Sequence, residues 1–350
     1  MSRKRICYVT TSYALFLYLI KFGYNPEDIF IFTGSFPKDI SKNLDQTTLP
    51  LINFADGPLF APLDSIKGVG KNIVGYGKYF YGYLKLKTLL FRKTFRKEVS
   101  VYGHAHHTFS YMFYVNEDSY IIEDGVENYV KEIKETHKIN PIIDGFLHLC
   151  GVYFLSQNEG FGTHKNIKKI YLTKEHDNPL IKDKVEVIDI ANCWNSKTKK
   201  EKEDILKIFN INYDDVLKLE EDSVLLLTEP FYEENYLTYE EEIKIYKDII
   251  NHFKDRKIII KPHPMDYKDY SKIFPDIPIL EKSFPIELLN LIGYEPKTVA
   301  SIICTALLNF KNSEIYVYDG ELNSEYLNES RDVLNKMLKE SRWKNGNSWK

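Results

Sequence analysis

Two doubly wound α/β lobes joined at a charged break are the architecture this sequence predicts, and three observations predict it. The chain has 350 residues, 43% apolar and 28% charged, a globular composition at a length beyond one small domain. Strand-like runs alternate with helical ones in both halves, as in parallel sheets covered on both faces. Between the halves, Trp194 to Lys202 is polar and charged with no apolar period. It divides the chain into a first lobe over 1–195 and a second over 203–350.

In the first lobe, strands are expected near 5–10, 28–33, 99–102, 119–123, 168–173 and 185–190. Arg5 to Thr10 alternates into β-branched residues, and Thr10, Thr11 and Ser12 supply a capping turn for the helix that follows. The basic, apolar opening is therefore read as strand and helix rather than as a signal peptide. Ala14 to Ile20 is too short to span a bilayer, and the protein is expected in the cytoplasm. In the second lobe, strands are expected at 223–228, 257–261, 299–304 and 314–318, with an amphipathic helix over 239–253.

Charge and cysteine usage exclude several classes of function. Lys and Arg number 47 against 50 for Asp and Glu, which gives no global field for nucleic acid. Cys7, Cys150, Cys193 and Cys304 lack paired spacing, which argues against a zinc site and fits a reducing compartment.

Open α/β sheets bind ligands at the carboxyl ends of their strands, so the chemistry is sought there. Lys261-Pro262-His263-Pro264 ends an apolar strand, and its prolines stiffen the turn that presents Lys261 and His263 as a cation pair suited to phosphate. An imidazole near its neutral-to-charged transition both hydrogen-bonds a phosphate and donates a proton as it leaves; the bland alternative is a structural histidine. Glu123-Asp124-Gly125 follows another strand, where paired carboxylates offer a general base; a solvated acidic turn is the competing reading. Glu233 and Glu234, after Thr228-Glu229-Pro230, are rival bases.

Cys304-Thr305 runs from a strand into a helix start that would make an anion site. Glu287 is either a ribose ligand or a first-turn helix glutamate. His104, His106 and His107 read as acceptor-binding, metal-binding or packing residues, with metal the least supported. Lys78 to Lys97 interleaves aromatics with basic residues, either a membrane-surface segment or a packed helix with solvated lysines.

The order of these turns, with Tyr8-Val9-Thr10-Thr11-Ser12-Tyr13 at the start, resembles the bacterial sialyltransferases of GT-B architecture, closest to glycosyltransferase family 52. The resemblance implies two Rossmann-like lobes facing across a cleft, the first binding the acceptor and the second the CMP-sugar. It implies inverting, metal-independent transfer of sialic acid from CMP-sialic acid to a terminal galactose of a lipooligosaccharide or capsular glycan. Carried over, Glu123 or Asp124 is the base, His263 the acid and phosphate ligand, and Thr305 a phosphate contact. Lys261 and Glu287 become cytidine contacts, with Thr11, Ser12, Gly125, His104, Pro264 and Cys304 lining the substrate sites. Cys304 stands where family members commonly carry a hydroxyl. No cofactor is implied, and the partners are the donor and a glycan acceptor, with a peripheral membrane contact and a homodimer left open. Another nucleotide-sugar transfer and a non-catalytic glycan- or nucleotide-binding protein are the alternative functions.

Overall fold

Strands such as Ile29–Phe32, Val224–Leu227 and Ile258–Lys261 are near-continuous runs buried on both faces, as parallel pairing favours. In the computed structural model the strands pair in parallel throughout. It describes residues 4–32, 36–44, 84, 88, 98–104, 117–125, 127–130, 159–213, 216 and 219–344. The segment 78–97, apart from residues 84 and 88, lies outside the described residues, as do Cys150, His106 and His107.

The chain forms two compact units, Met1–Ile208 and Phe209–Lys350. The first holds strands β1 (Lys4–Val9), β2 (Ile29–Phe32), β3 (Val99–Gly103), β4 (Asp118–Ile122), β5 (Ile167–Leu172) and β6 (Val185–Val187), in the order β2-β1-β3-β4-β5-β6. Helix α1 (Ser12–Phe22) is capped by Thr11, whose hydroxyl accepts from the Ala14 amide, and it buries Leu15, Phe16, Leu17 and Leu19. Helix α2 (Lys38–Asn43) follows β2.

The charged stretch expected to separate the lobes is instead helical surface of the first unit. Helix α3 (Ile190–Asn195) buries Trp194, and α4 (Lys199–Ile208) buries Ile205, Leu206 and Ile208 while turning its lysines and glutamates outward. Both helices pack against α1, and the Asn43 amide donates to Ile208 O at 3.0 Å. An amphipathic helix with a narrow apolar stripe shows little hydrophobic period over nine residues, which explains the misplaced boundary.

The second unit holds β7 (Val224–Leu227), β8 (Ile258–Lys261), β9 (Thr298–Ser301) and β10 (Glu314–Val317), in the order β10-β9-β7-β8. Helix α5 (Tyr239–His252) opens with a capping box between Thr238 and Glu241. Helix α6 (Glu287–Leu291) and the long α7 (Glu325–Lys344) also belong to it, with a single helical turn at Tyr270–Ile273. Tyr246, Ile249, Leu226, Ile260, Ala300 and Leu327 share one core. The strand expected to reach Cys304 stops at Ser301, and Thr305–Asn309 is a short 3-10 turn. Among the described residues, no helix is long and apolar enough to cross a membrane.

Candidate active site

In the first unit the predicted acids sit where β1, β3, β4 and β5 end. Gly103 closes β3 at φ +135°, and a Cβ there would stand 1.7 Å from Tyr8 O, so only glycine lets the strands approach. His104 then enters fully buried, its Nε2 3.3 Å from Asp124 Oδ1. The Thr11 hydroxyl, which caps α1, donates to the same carboxylate oxygen at 2.9 Å. The Asp124 amide donates to Asn128 Oδ1 at 2.8 Å, and Gly125 turns the chain at φ +129°. Ser12 is buried in the first turn of α1, leaving Thr11 as the hydroxyl that reaches Asp124.

The two adjacent acids have different surroundings. Glu123, 4% exposed, accepts from Tyr129 OH at 2.6 Å, Tyr13 OH at 3.4 Å, the Thr173 amide at 2.5 Å and the Thr173 hydroxyl at 2.8 Å. Four donors fill the roughly four lone-pair sites of a carboxylate. Burial and the Glu123 charge together push the Tyr129 phenol up, so it stays a donor. Glu123 thus ties the ends of β4 and β5 together, while Asp124, 14% exposed, is the acid that reaches solvent.

In the second unit, β7 and β8 pair up to Leu227 and Lys261, and the Lys-Pro-His-Pro turn leaves from that edge. Lys261 is not the presented cation the sequence suggested. It is buried, donates to Pro262 O at 2.9 Å and Lys282 O at 2.8 Å, and lies 4.6 Å from the Phe284 ring centre. Burial brings its pKa down to about 7, against the pull of Glu281.

His263 is half-buried, and its Nδ1 accepts from the Met265 amide at 3.1 Å, which leaves the ring proton of the neutral form on Nε2. Burial and the Lys261 charge bring its pKa down to about 4. The ring is therefore a neutral donor at neutral pH rather than a group poised at its transition; an anion bound at Nε2 would raise its proton affinity. Pro264 continues the turn, closed by the Asp266 amide on His263 O at 3.0 Å.

Cys304 is buried, its thiol hydrogen-bonded to Glu229, and burial pushes the thiol pKa up. Burial likewise pushes Glu229 up to about 8. Thr305 is exposed at the start of a 3-10 turn of five residues, too short for the helix-end anion site expected. Glu287 opens α6 and accepts from Asn309 Nδ2 at 2.9 Å. The rival base Glu233 is tied down, accepting from the Tyr267 amide at 3.0 Å and the Lys268 ammonium at 2.8 Å, whereas Glu234 is exposed. Sequence reasoning missed Tyr129, Thr173, Thr228, Asp266 and Lys268. Thr228 had a signal in ending a strand; Tyr129 and Thr173 reach Glu123 across 6 and 50 residues and had none.

Two parallel-sheet units, one ending in an acid turn and the other in a histidine turn, have the GT-B organisation of a glycosyltransferase. The chain shares its fold with the 2,6-sialyltransferase of Photobacterium sp. JT-ISH-224, crystallised with CMP and lactose, at a TM-score of 0.62 and 14% identity, over 97% of this chain and 77% of that one. It also shares it with the GT-B domain of a sialyltransferase from Photobacterium damselae, at 0.57 and 14%, over 97% of each. The model of glycosyltransferase family 52 matches residues 73–322, and the chain belongs to that family. A relative from Haemophilus influenzae (strain ATCC 51907 / DSM 11121 / KW20 / Rd), described as an uncharacterized protein, is 34% identical over 241 residues, 68% of this chain and 74% of its own.

Proposed function

We propose that this glycosyltransferase moves sialic acid from CMP-sialic acid to a sugar hydroxyl, with inversion and without a metal. The observation that carries the reading is His263 as a neutral Nε2 donor on a proline-stiffened turn at a strand end, in a member of family 52. The fold shared with a sialyltransferase that was crystallised with CMP and lactose supports the choice of donor.

In this proposal Asp124 takes the proton of the acceptor hydroxyl, whose oxygen bonds to the anomeric carbon of sialic acid as the carbon–phosphate oxygen bond breaks and CMP departs with the electron pair. His263 holds the phosphate through Nε2–H and gains proton affinity as the anion binds. A leaving group with one phosphate develops less charge than a diphosphate, so fixed donors stabilise it. His104 and Thr11 hold Asp124 in place, and Glu123 holds its turn. A terminal galactose of a surface glycan is the proposed acceptor, and the cytoplasm the proposed compartment. The first unit is assigned to the acceptor and the second to the donor.

The test is CMP release from CMP-sialic acid in EDTA, with and without lactose. Release stimulated by lactose is expected, falling about 10²- to 10⁴-fold in Asp124→Asn and in His263→Ala. Glu123→Gln is expected to lower the thermal midpoint more than the turnover of the folded enzyme. Loss of activity in EDTA with recovery on Mg²⁺ or Mn²⁺ would sink the metal-independent mechanism, and binding of CMP with no release would make this a binding protein.

A further inference from the structure

We propose that Asp266 is a positioning residue for His263, acting through Thr228. The inference rests on His263 as the phosphate-facing residue, but its geometry lies entirely within the second unit. Asp266 is fully buried, and its carboxylate can only accept hydrogen bonds. Its Oδ2 takes the Thr228 hydroxyl proton at 2.6 Å and the Tyr270 phenol proton at 2.7 Å. Its Oδ1 takes the Lys268 amide at 3.1 Å and lies 3.1 Å from the Lys268 ammonium.

With the Thr228 proton directed at Asp266, the hydroxyl is oriented so that one of its lone pairs receives the His263 amide, which donates to it at 3.3 Å. The direction of this relay is set by the carboxylate. An asparagine there could donate its own N–H to Thr228 and remove that fixed direction. The same residue closes the turn, its amide donating to His263 O at 3.0 Å, and within that turn the Met265 amide reaches His263 Nδ1 at 3.1 Å. Asp266 therefore constrains both the backbone of His263 and the nitrogen that fixes its ring proton on Nε2. Lys268 also bridges Glu233 and Glu242 at 2.8 and 3.0 Å, and Lys282 donates to Asp266 O at 3.1 Å, so the anchor is itself held. A fully buried carboxylate with both oxygens occupied is costly to keep, and its use here is to hold the turn of His263.

The test compares full-length wild type with Asp266→Asn, Thr228→Val and Thr228→Ser by amide hydrogen exchange and by transfer from CMP-sialic acid to lactose. In Asp266→Asn and Thr228→Val, the His263 and Met265 amides are expected to exchange at least tenfold faster while β7, β8 and β9 keep their protection. In the same variants kcat is expected to fall about 10- to 100-fold with KM for the donor within about threefold, as for the loss of an interaction made only in the transition state. Thr228→Ser, which keeps the hydroxyl, is expected to restore both. Unchanged exchange at His263 and Met265 in Asp266→Asn and Thr228→Val overturns the inference. If wild type transfers nothing from CMP-sialic acid, the proposed function falls, and the exchange result still decides this one. Should Asp266→Asn fail to fold, the comparison of Thr228→Val with Thr228→Ser gives the decision.

Discussion

Glu242 shows how far a single buried charge ties the second unit to pH. It lies on α5 with no exposed surface, accepts from the Tyr232 amide at 2.9 Å and pairs with Lys268 at 3.0 Å. Burial pushes its pKa up to about 7 from an ordinary 4.5, with Lys268 opposing the rise. Between those values the folded chain holds a proton that the unfolded chain has released, so stability falls as pH rises through that window. Glutamine does not ionise. The stability of Glu242→Gln relative to wild type is therefore expected to improve from pH 5 to pH 8 by roughly 1 to 3 kcal/mol, read from unfolding at each pH. Parallel curves for the two proteins would mean that Glu242 is ionised throughout. The two acids of the first unit differ in their surroundings in the same local way: Glu123 accepts from four donors, whereas Asp124, one residue on, accepts from Thr11, lies beside His104 and is the more exposed of the two.

At the scale of elements, the close approach of β3 to β1 is set by Gly103, whose missing Cβ leaves room for Tyr8 O. Gly103→Ala combines a backbone conformation unfavourable to alanine with a clash against a strand. It is expected to destabilise by about 3 kcal/mol or more and to displace His104 from Asp124, read as a fall in thermal midpoint together with lost turnover. A midpoint within a degree of wild type would show that β3 can slide at no cost.

Strands such as β7 and β8 were legible because a parallel sheet needs short, continuous apolar runs, and Val224–Leu227 and Ile258–Lys261 are such runs. Helix α5 was legible from its period, and the structure adds the capping box that opens it. Helix α4 was not, because its buried stripe is Ile205, Leu206 and Ile208 at one end of a run of lysines and glutamates. The end of β9 was misread for a related reason: Ile302 is as buried as the strand before it, so the apolar pattern continues where the pairing stops. Around the predicted residues, neighbours in sequence such as Glu123 and Asp124 were legible, and the long-range partners that hold them, such as Thr173, were not. Lys261 was taken for a free cation because nothing local reveals the carbonyl of Lys282 that holds it.

Over the whole molecule, each unit has its own sheet and its own buried residues, and the second is closed by α7. Leu327, Leu334 and Leu338 are buried on that helix, it packs against the Thr305–Asn309 turn, and Arg331 donates to Tyr318 O at 3.0 Å and Gly320 O at 2.7 Å. The buried support of His263, from Thr228 through Asp266 to Lys268, also lies between residues 228 and 268 of this unit. A domain of about 150 residues buries enough of its surface to fold alone. Residues 209–350 expressed without the first unit are therefore expected to unfold cooperatively and to bind CMP, with His263→Ala weakening that binding about tenfold or more, the worth of one charge-assisted hydrogen bond. Calorimetric titration of CMP into the fragment measures it. A fragment that folds and binds no CMP would move the donor site away from this unit, because every described contact that shapes the histidine turn would still be in place. Binding equal in the fragment and its His263→Ala form would instead keep the donor here and take the phosphate away from the imidazole.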